Sequence, residues 1–229
     1  MRDFAAIPES PLGMLTPCHQ KTRPVQLGES LPDPSLAPMP PSTEELISIA
    51  RAYWRPDKEY QLRQERSPED EKLEARWNQE LEKIDQWHAF LRDLRQNLPD
   101  FTIGDGTATP DACFRCVAYP AKGRPMPPYH WIVVGCVSIL APIYIVYSVK
   151  YGRVGNRKRL NPRLGFEPFP PEMQHPADVI ARKIEETFGV SKLPREIAEI
   201  PVPLFVKWVE PPETTLFHAL FTNEPDNVP

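Results

Sequence analysis

One uncharged run constrains the fold of this chain more than any other feature: residues 131 to 147, WIVVGCVSILAPIYIVY, lie in a sequence that is otherwise polar and rich in proline. As a helix these 17 residues would rise about 26 Å, short of the roughly 30 Å hydrocarbon core of a bilayer. Eight of them are β-branched, and Gly135 and Pro142 interrupt any helix. The run therefore predicts two central strands, 131–140 and 143–149, covered on both faces.

The basic residues after this run support an alternative interpretation, a single-pass membrane protein anchored by residues 131–149. Six basic residues and no acidic one follow Tyr147, as in the cytoplasmic flank of a membrane helix: Lys150, Arg153, Arg157, Lys158, Arg159 and Arg163. They could also contact nucleic acid phosphates, but the segment lacks interleaved aromatics beyond Tyr147 and Tyr151. We predict a solvated loop within a long irregular connection, residues 152 to 174.

Two helices are predicted before the strands. Ser42 and Glu45 have the spacing of a capping box, and an apolar stripe follows them up to Tyr53. Ser67 and Pro68 then open a long amphipathic helix, residues 67–97, whose apolar stripe runs from Leu73 to Leu98.

The rest of the pattern predicts an α+β fold. Further strands are expected near 112–119 and 204–210, and shorter helices near 176–188 and 214–221, the former ending at Gly189. The strands follow one another as a meander, so the sheet should be mostly antiparallel and packed by the long helix. Together these elements form one domain, residues 42–229.

Proline dominates the remaining segment. The chain has 30 prolines among 229 residues, far above the usual level of about 5%, and residues 1–41 are predicted to form an extended arm. No apolar core of a signal peptide is visible near Met1, so we expect a cytoplasmic protein. The net charge of −4 gives no global field that favours a nucleic acid partner.

No chemical motif indicates an enzyme. Cys113 and Cys116 have a metal-like spacing, but they lie in a strand pattern that sends their side chains to opposite faces, so core thiols are expected. The histidines share no ligand spacing, and no phosphate loop, nucleophile elbow or zinc-binding HExxH motif is present. We predict no catalytic residue, no metal and no cofactor. A Cys-His pair assembled in space is the alternative.

The long helix carries the candidate binding residues. Its outer face is acidic, with two aromatic side chains expected at the flank and the outer side, and exposed aromatics beside acids are typical of a surface for a basic partner. The candidate residues are Glu71, Glu82, Asp85, Trp87 and Phe90. A solvated face with aromatics that pack under the arm is the alternative.

Several segments resemble the sequences of a known protein family. They are the run 131–147, IEETFG at 184–189 with Leu193-Pro194, PVP at 201–203 and TLFHALF at 215–221. Together they resemble small α+β immunity proteins of bacterial polymorphic toxin systems, the immunity protein 52 family in particular. The resemblance covers about the C-terminal two thirds of the chain. It implies a cytoplasmic protein that binds and blocks its cognate toxin, often a nuclease, and has no catalytic residues.

Overall fold

The computed structural model describes residues 40–57, 66–120, 131–154 and 158–228. The arm predicted for residues 1–41 lies outside these ranges except for its last two residues. The helices are α1 (Thr43–Tyr53), α2 (Pro68–Leu81), α3 (Ile84–Asn97), α4 (Pro171–Phe188), α5 (Arg195–Ala198) and α6 (Leu216–Leu220). The strands are β1 (Thr102–Asp105), β2 (Cys113–Tyr119), β3 (Trp131–Ser138), β4 (Ile143–Val154), β5 (Lys158–Gly165) and β6 (Ser191–Lys192).

Local sequence signals set the helix ends. At α1 the Ser42 side chain accepts a hydrogen bond from the Glu45 amide at 3.2 Å, and the Glu45 carboxylate accepts one from the Ser42 amide at 2.7 Å. This capping box satisfies two amides that have no partner within the helix. Ser67 caps α2 ahead of Pro68, and α4 stops at Gly189, whose φ of 62° suits glycine. The predicted signals are confirmed.

The strands form one mixed, mostly antiparallel sheet, so the α+β prediction is confirmed. Its order is β1-β2-β3-β4-β5, with antiparallel neighbours throughout, and β6 pairs with β4 in parallel. The uncharged run supplies β3 and the first part of β4, both at the centre of the sheet. Among the described residues, no helix is long and apolar enough to cross a bilayer.

Both faces of the sheet are covered. On one face Gly135 lies opposite Cys116 and Val146, and α4 packs there so closely that a Cβ at Gly135 would lie 2.5 Å from Cγ2 of Ile180. On the other face, Tyr147 packs against Phe217 of α6, with 5.3 Å between ring centroids. The sheet is thus the middle layer between α3 and α4 on one side and α1 and α6 on the other.

The helix predicted for residues 67–97 is divided in the structure. A turn at Glu82 and Lys83 separates α2 from α3, and the Lys83 amide donates to the Glu80 carbonyl in a tighter, three-residue turn. The apolar periodicity continues across this point, so no local pattern indicates the break.

Two predictions about irregular and extended segments were wrong in detail. Part of the connection expected at 152–174 is regular, because β4 continues to Val154 and β5 follows. Pro162 is tolerated there since β5 lies at the edge of the five-strand path. Conversely, residues 204–210 form no sheet strand. Their extended residues make isolated bridges, Phe205 with Arg55 and Val206 with Val209.

Candidate protein-binding surface

A tight turn presents the most exposed large apolar side chain among the described residues. Val206 and Val209 exchange backbone hydrogen bonds of 3.0 and 2.9 Å around Lys207 and Trp208. Lys207 has a φ of 51°, a region that favours glycine and is strained for lysine. Trp208 follows it and is 82% exposed. A tryptophan held in water on a strained two-residue turn points to a role outside the core.

The Lys207 side chain fixes this turn to the body of the protein. Its Nζ lies 2.6 Å from Oδ1 of Asp70 in the first turn of α2 and 5.7 Å from the ring centroid of Trp54. Trp54 is itself buried and donates from Nε1 to the Ala219 carbonyl at 2.6 Å. Partial burial acts to raise the pKa of Asp70, but the hydrogen bond and charge of Lys207, with hydrogen bonds from Ser67, hold that pKa below its usual value. Asp70 therefore stays charged and keeps the turn in place.

Two cavities adjoin along α2. The first, of about 210 Å³, lies between the end of α1, the start of α2 and the turn, and its wall includes Trp54 and Trp208. The second, of about 470 Å³, follows α2 as far as Leu81, which is 41% exposed. Asp70 and Lys207 belong to both walls. We call the continuous surface from Trp208 to Leu81 the α2 groove.

The three predicted acids lie outside the walls of both cavities, although two of them follow a wall residue in the sequence. Glu71 follows Asp70, Glu82 follows Leu81, and Asp85 lies in the first turn of α3. All three are exposed. Within the described part of the chain none of them forms an ion pair, whereas Glu69 and Glu74 pair with Arg55 and Arg66. These three carboxylates are available to a basic partner, and whether they bind one stays a prediction.

The expectation that Trp87 and Phe90 are exposed is wrong. They are 1% and 2% exposed, and Trp87 stacks on Phe90 and on Phe114 of β2 with centroid separations of 5.0 and 5.2 Å. The Trp87 Nε1 also donates to Asp105 at 3.2 Å. Both aromatics lie on the buried face of α3, four residues before Leu91 and Leu94 respectively. Both residues belong to the core and are withdrawn from the candidate surface.

The cysteines show the arrangement expected of core thiols. Cys113 and Cys116 lie in β2, three residues apart and thus on opposite faces, and both are buried, as is Cys136 of β3. Burial raises the pKa of the Cys113 and Cys116 thiols well above the ordinary value, which keeps them protonated and poorly nucleophilic. In the described ranges no group of three metal-ligating side chains comes together.

Sequence reasoning missed one buried charge, Arg115. It lies in β2, is 5% exposed, and pairs with Asp111 at 3.5 Å. Its Nε donates to the Gly106 carbonyl at 2.8 Å, and Nη1 donates to Oγ1 of Thr222 and to the Glu224 carbonyl, both at 3.3 Å. The signal was present as a single cation in the apolar strand CFRCVAY. These bonds hold the segment after α6 against the sheet.

Comparison of the chain with protein-family models, with curated proteins and with solved structures gave no match. The physical properties of the α2 groove are therefore the basis for a functional proposal.

Proposed function

We propose that this protein is an immunity protein that binds a cognate toxin through the α2 groove and blocks it by stoichiometric occlusion. The observation that carries the proposal is the 82% exposure of Trp208. Tryptophan is enriched among the residues that dominate the energy of protein interfaces, and such residues act from rigid positions beside pockets. Trp208 meets both conditions, since its turn is fixed to α2 and it borders a cavity.

The charge around the groove defines the partner. Glu71, Glu82 and Asp85 are exposed and form no ion pair among the described residues, and Glu82 follows the exposed Leu81. Complementary charge at the rim of an interface accelerates association and selects the partner, while the central apolar contact supplies most of the affinity. The proposed toxin therefore presents a basic surface with a pocket or flat apolar patch for Trp208.

The choice of a toxin rests on the resemblance to immunity proteins carried by residues 131–147, 184–189 and 215–221. A protein of this class has no reaction to catalyse, and occlusion requires a preformed surface of stable geometry. The α2 groove fits that requirement because its walls come from two helices and a turn that are bonded to one another. The proposed site of action is the cytoplasm, where the toxin would meet its substrate.

The test requires the cognate toxin, which for an immunity protein we expect a neighbouring gene to encode. The purified full chain is titrated into the toxin by isothermal calorimetry, and toxin activity is followed in parallel; we expect a one-to-one complex and loss of activity. Trp208→Ala should weaken binding by about 30-fold or more, the effect of losing an interface hot spot of at least about 2 kcal/mol. Leu164→Ala, at another partly exposed side chain (39%), is the matched control and should change affinity less than about threefold.

Charge reversal tests the second element of the surface. Glu71→Lys, Glu82→Lys and Asp85→Lys together should slow association and reverse its dependence on salt. Unchanged affinity of Trp208→Ala would refute the groove as the docking site. Unchanged association of the triple variant would remove the acids from it.

A further inference from the structure

A second candidate site is a break in the strand pairing along one edge of β4. β5 pairs with β4 from Ser148 onward, and β6 pairs with β4 only at Ile143 and Tyr144. Between these two ladders, residues 145–147 of β4 have no strand partner on this side among the described residues. At about 3.3 Å per residue, this interruption is roughly 10 Å long. We call residues 145–147 and the space beside them the sheet gap.

Val146 directs its backbone polar groups into the sheet gap. The Tyr144 carbonyl accepts a hydrogen bond from the Leu193 amide at 2.8 Å, so Tyr144 faces β6. Alternate residues of a strand point their N–H and C=O groups to the same side, and Val146 therefore faces the same edge. Among the described residues no hydrogen bond to its N–H or C=O is formed there. Val146 is only 2% exposed, and a buried amide and carbonyl need partners.

A cavity of about 310 Å³ adjoins the sheet gap, and Val146 belongs to its wall. This volume lies in the range of small-ligand sites, about 300 to 1,000 Å³. The wall also has three apolar side chains, those of Ile145, Phe166 and Pro194. Its charged residues are balanced, two basic and two acidic: Lys192, Arg195, Glu167 and Glu196. The site therefore favours a ligand that has no net charge and carries an apolar side chain.

Both ends of the sheet gap are closed by the chain itself. Gly165 is the last residue of β5 that pairs with β4, and Lys192 is the last of β6. An ion pair between Lys192 and Glu167 links these two sides. A strand of a larger partner would have to leave the plane of the sheet at both ends, whereas a peptide of about three residues is as long as the gap. The length of the gap thus selects a short peptide.

We propose that the sheet gap binds free linear peptides of about three residues with apolar side chains. The central residue of the peptide continues the antiparallel pattern of β5 opposite Val146. Its N–H donates to the Val146 carbonyl, and its C=O accepts from the Val146 amide. In strand addition such backbone bonds supply the affinity, and the pockets beside them supply the side-chain preference.

The experiment titrates the nitrogen-15-labelled full chain with the tripeptide Ala-Val-Ala and follows its amide resonances by NMR. The Val146 amide should shift downfield, because it gains a hydrogen bond. Methylation of the valine nitrogen removes the donor to the Val146 carbonyl and should weaken binding at least about tenfold. Methylation of the last peptide nitrogen, whose N–H points away from β4, is the matched control and should weaken binding less than about threefold.

A pair of protein variants tests the unpaired amide itself. Val146→Pro removes the hydrogen that faces the sheet gap and should abolish peptide binding. Because that hydrogen has no ladder partner, the variant should keep its fold. Ile145→Pro removes an amide on the side that pairs with Cys136 of β3, so it should melt at a temperature lower than Val146→Pro by about 5 °C or more.

Four outcomes would each overturn the proposal. They are an unmoved Val146 amide, equal binding of the two methylated peptides, equal loss of stability in the two proline variants, and equal or tighter binding of a peptide of about seven residues, which would indicate a strand of a larger partner. Trp208→Ala should bind the tripeptide like the parent protein, so this result is independent of the toxin experiment.

Discussion

Replacing Arg115 with methionine should be among the most destabilising single substitutions in this protein. Methionine fills a similar apolar volume but supplies none of the hydrogen bonds to Gly106, Thr222 and Glu224, and it removes the ion-pair partner of Asp111. Asp111 is 5% exposed. Its burial already raises the pKa of its carboxyl, and the Arg115 charge is the largest influence that opposes this. The variant leaves that carboxyl buried without its cation.

Breaking a buried pair by removing one partner costs about 3 to 5 kcal/mol. In urea denaturation at pH 7, with an m value of about 2 kcal/mol/M, the midpoint should fall by about 2 M. Chymotrypsin provides a local readout at Phe221, because the segment after α6 loses two of its bonds to the sheet and should be cleaved faster.

A second variant tests the reason for the loss. Asp111→Asn/Arg115→Met removes the unpaired charge and should be more stable than Arg115→Met alone, with a coupling of at least about 1 kcal/mol. A loss below about 1 kcal/mol for the single variant, or a double variant no more stable than the single one, would refute the reasoning.

Three further outcomes follow from the packing. Gly135→Ala should lower the free energy of unfolding by about 1 to 3 kcal/mol, because its new Cβ would lie 2.5 Å from Cγ2 of Ile180. Adding Ile180→Ala should restore part of the lost stability in thermal melts. If the losses of the two substitutions simply add, the clash is not their cause. Burial lowers the pKa of His218, whose Nδ1 accepts from the Thr215 amide at 3.2 Å. Its folded pKa lies below the unfolded value of about 6.5, so stability should fall as pH falls through that window, and urea midpoints at pH 7 and 5 should show this loss in the parent chain but not in His218→Gln. Cys113, Cys116 and Cys136 are buried, so in a Cys18→Ser variant none of these thiols should react with an aromatic disulfide reagent until the protein unfolds. Fast reaction of a thiol in the folded protein would instead support a catalytic cysteine.

The fold was predictable where one local signal dominated. The capping box at Ser42, the serine and proline at the start of α2 and the β-branched run of β3 and β4 each specify their element without help from distant residues. The break after α2 was not predictable, because the apolar stripe continues through it and only packing against the sheet decides between one helix and two. The end of β4 and the whole of β5 were missed because Gly152 and Pro162 are ordinary loop residues that an edge strand also tolerates.

The candidate surface was likewise predictable only where a local sequence pattern determines it. The exposed acids of α2 follow from helical periodicity, which places Glu71 away from Leu73 and Trp77. Trp208 was not recognised, since its neighbours read as a strand and an exposed tryptophan cannot be told from a buried one by sequence. The bond between Lys207 and Asp70 joins residues 137 positions apart, and no local pattern reports such a contact.

The exposure of Trp208 also gives this protein an intrinsic optical probe. Of the five tryptophans, Trp54, Trp77 and Trp87 are buried and Trp131 is half-buried, so a water-soluble quencher such as iodide reaches chiefly Trp208. Fluorescence that iodide can quench therefore comes from the turn that borders the α2 groove. A molecule that covers this turn will shield the indole and shift its emission to shorter wavelength, without any label attached to the chain.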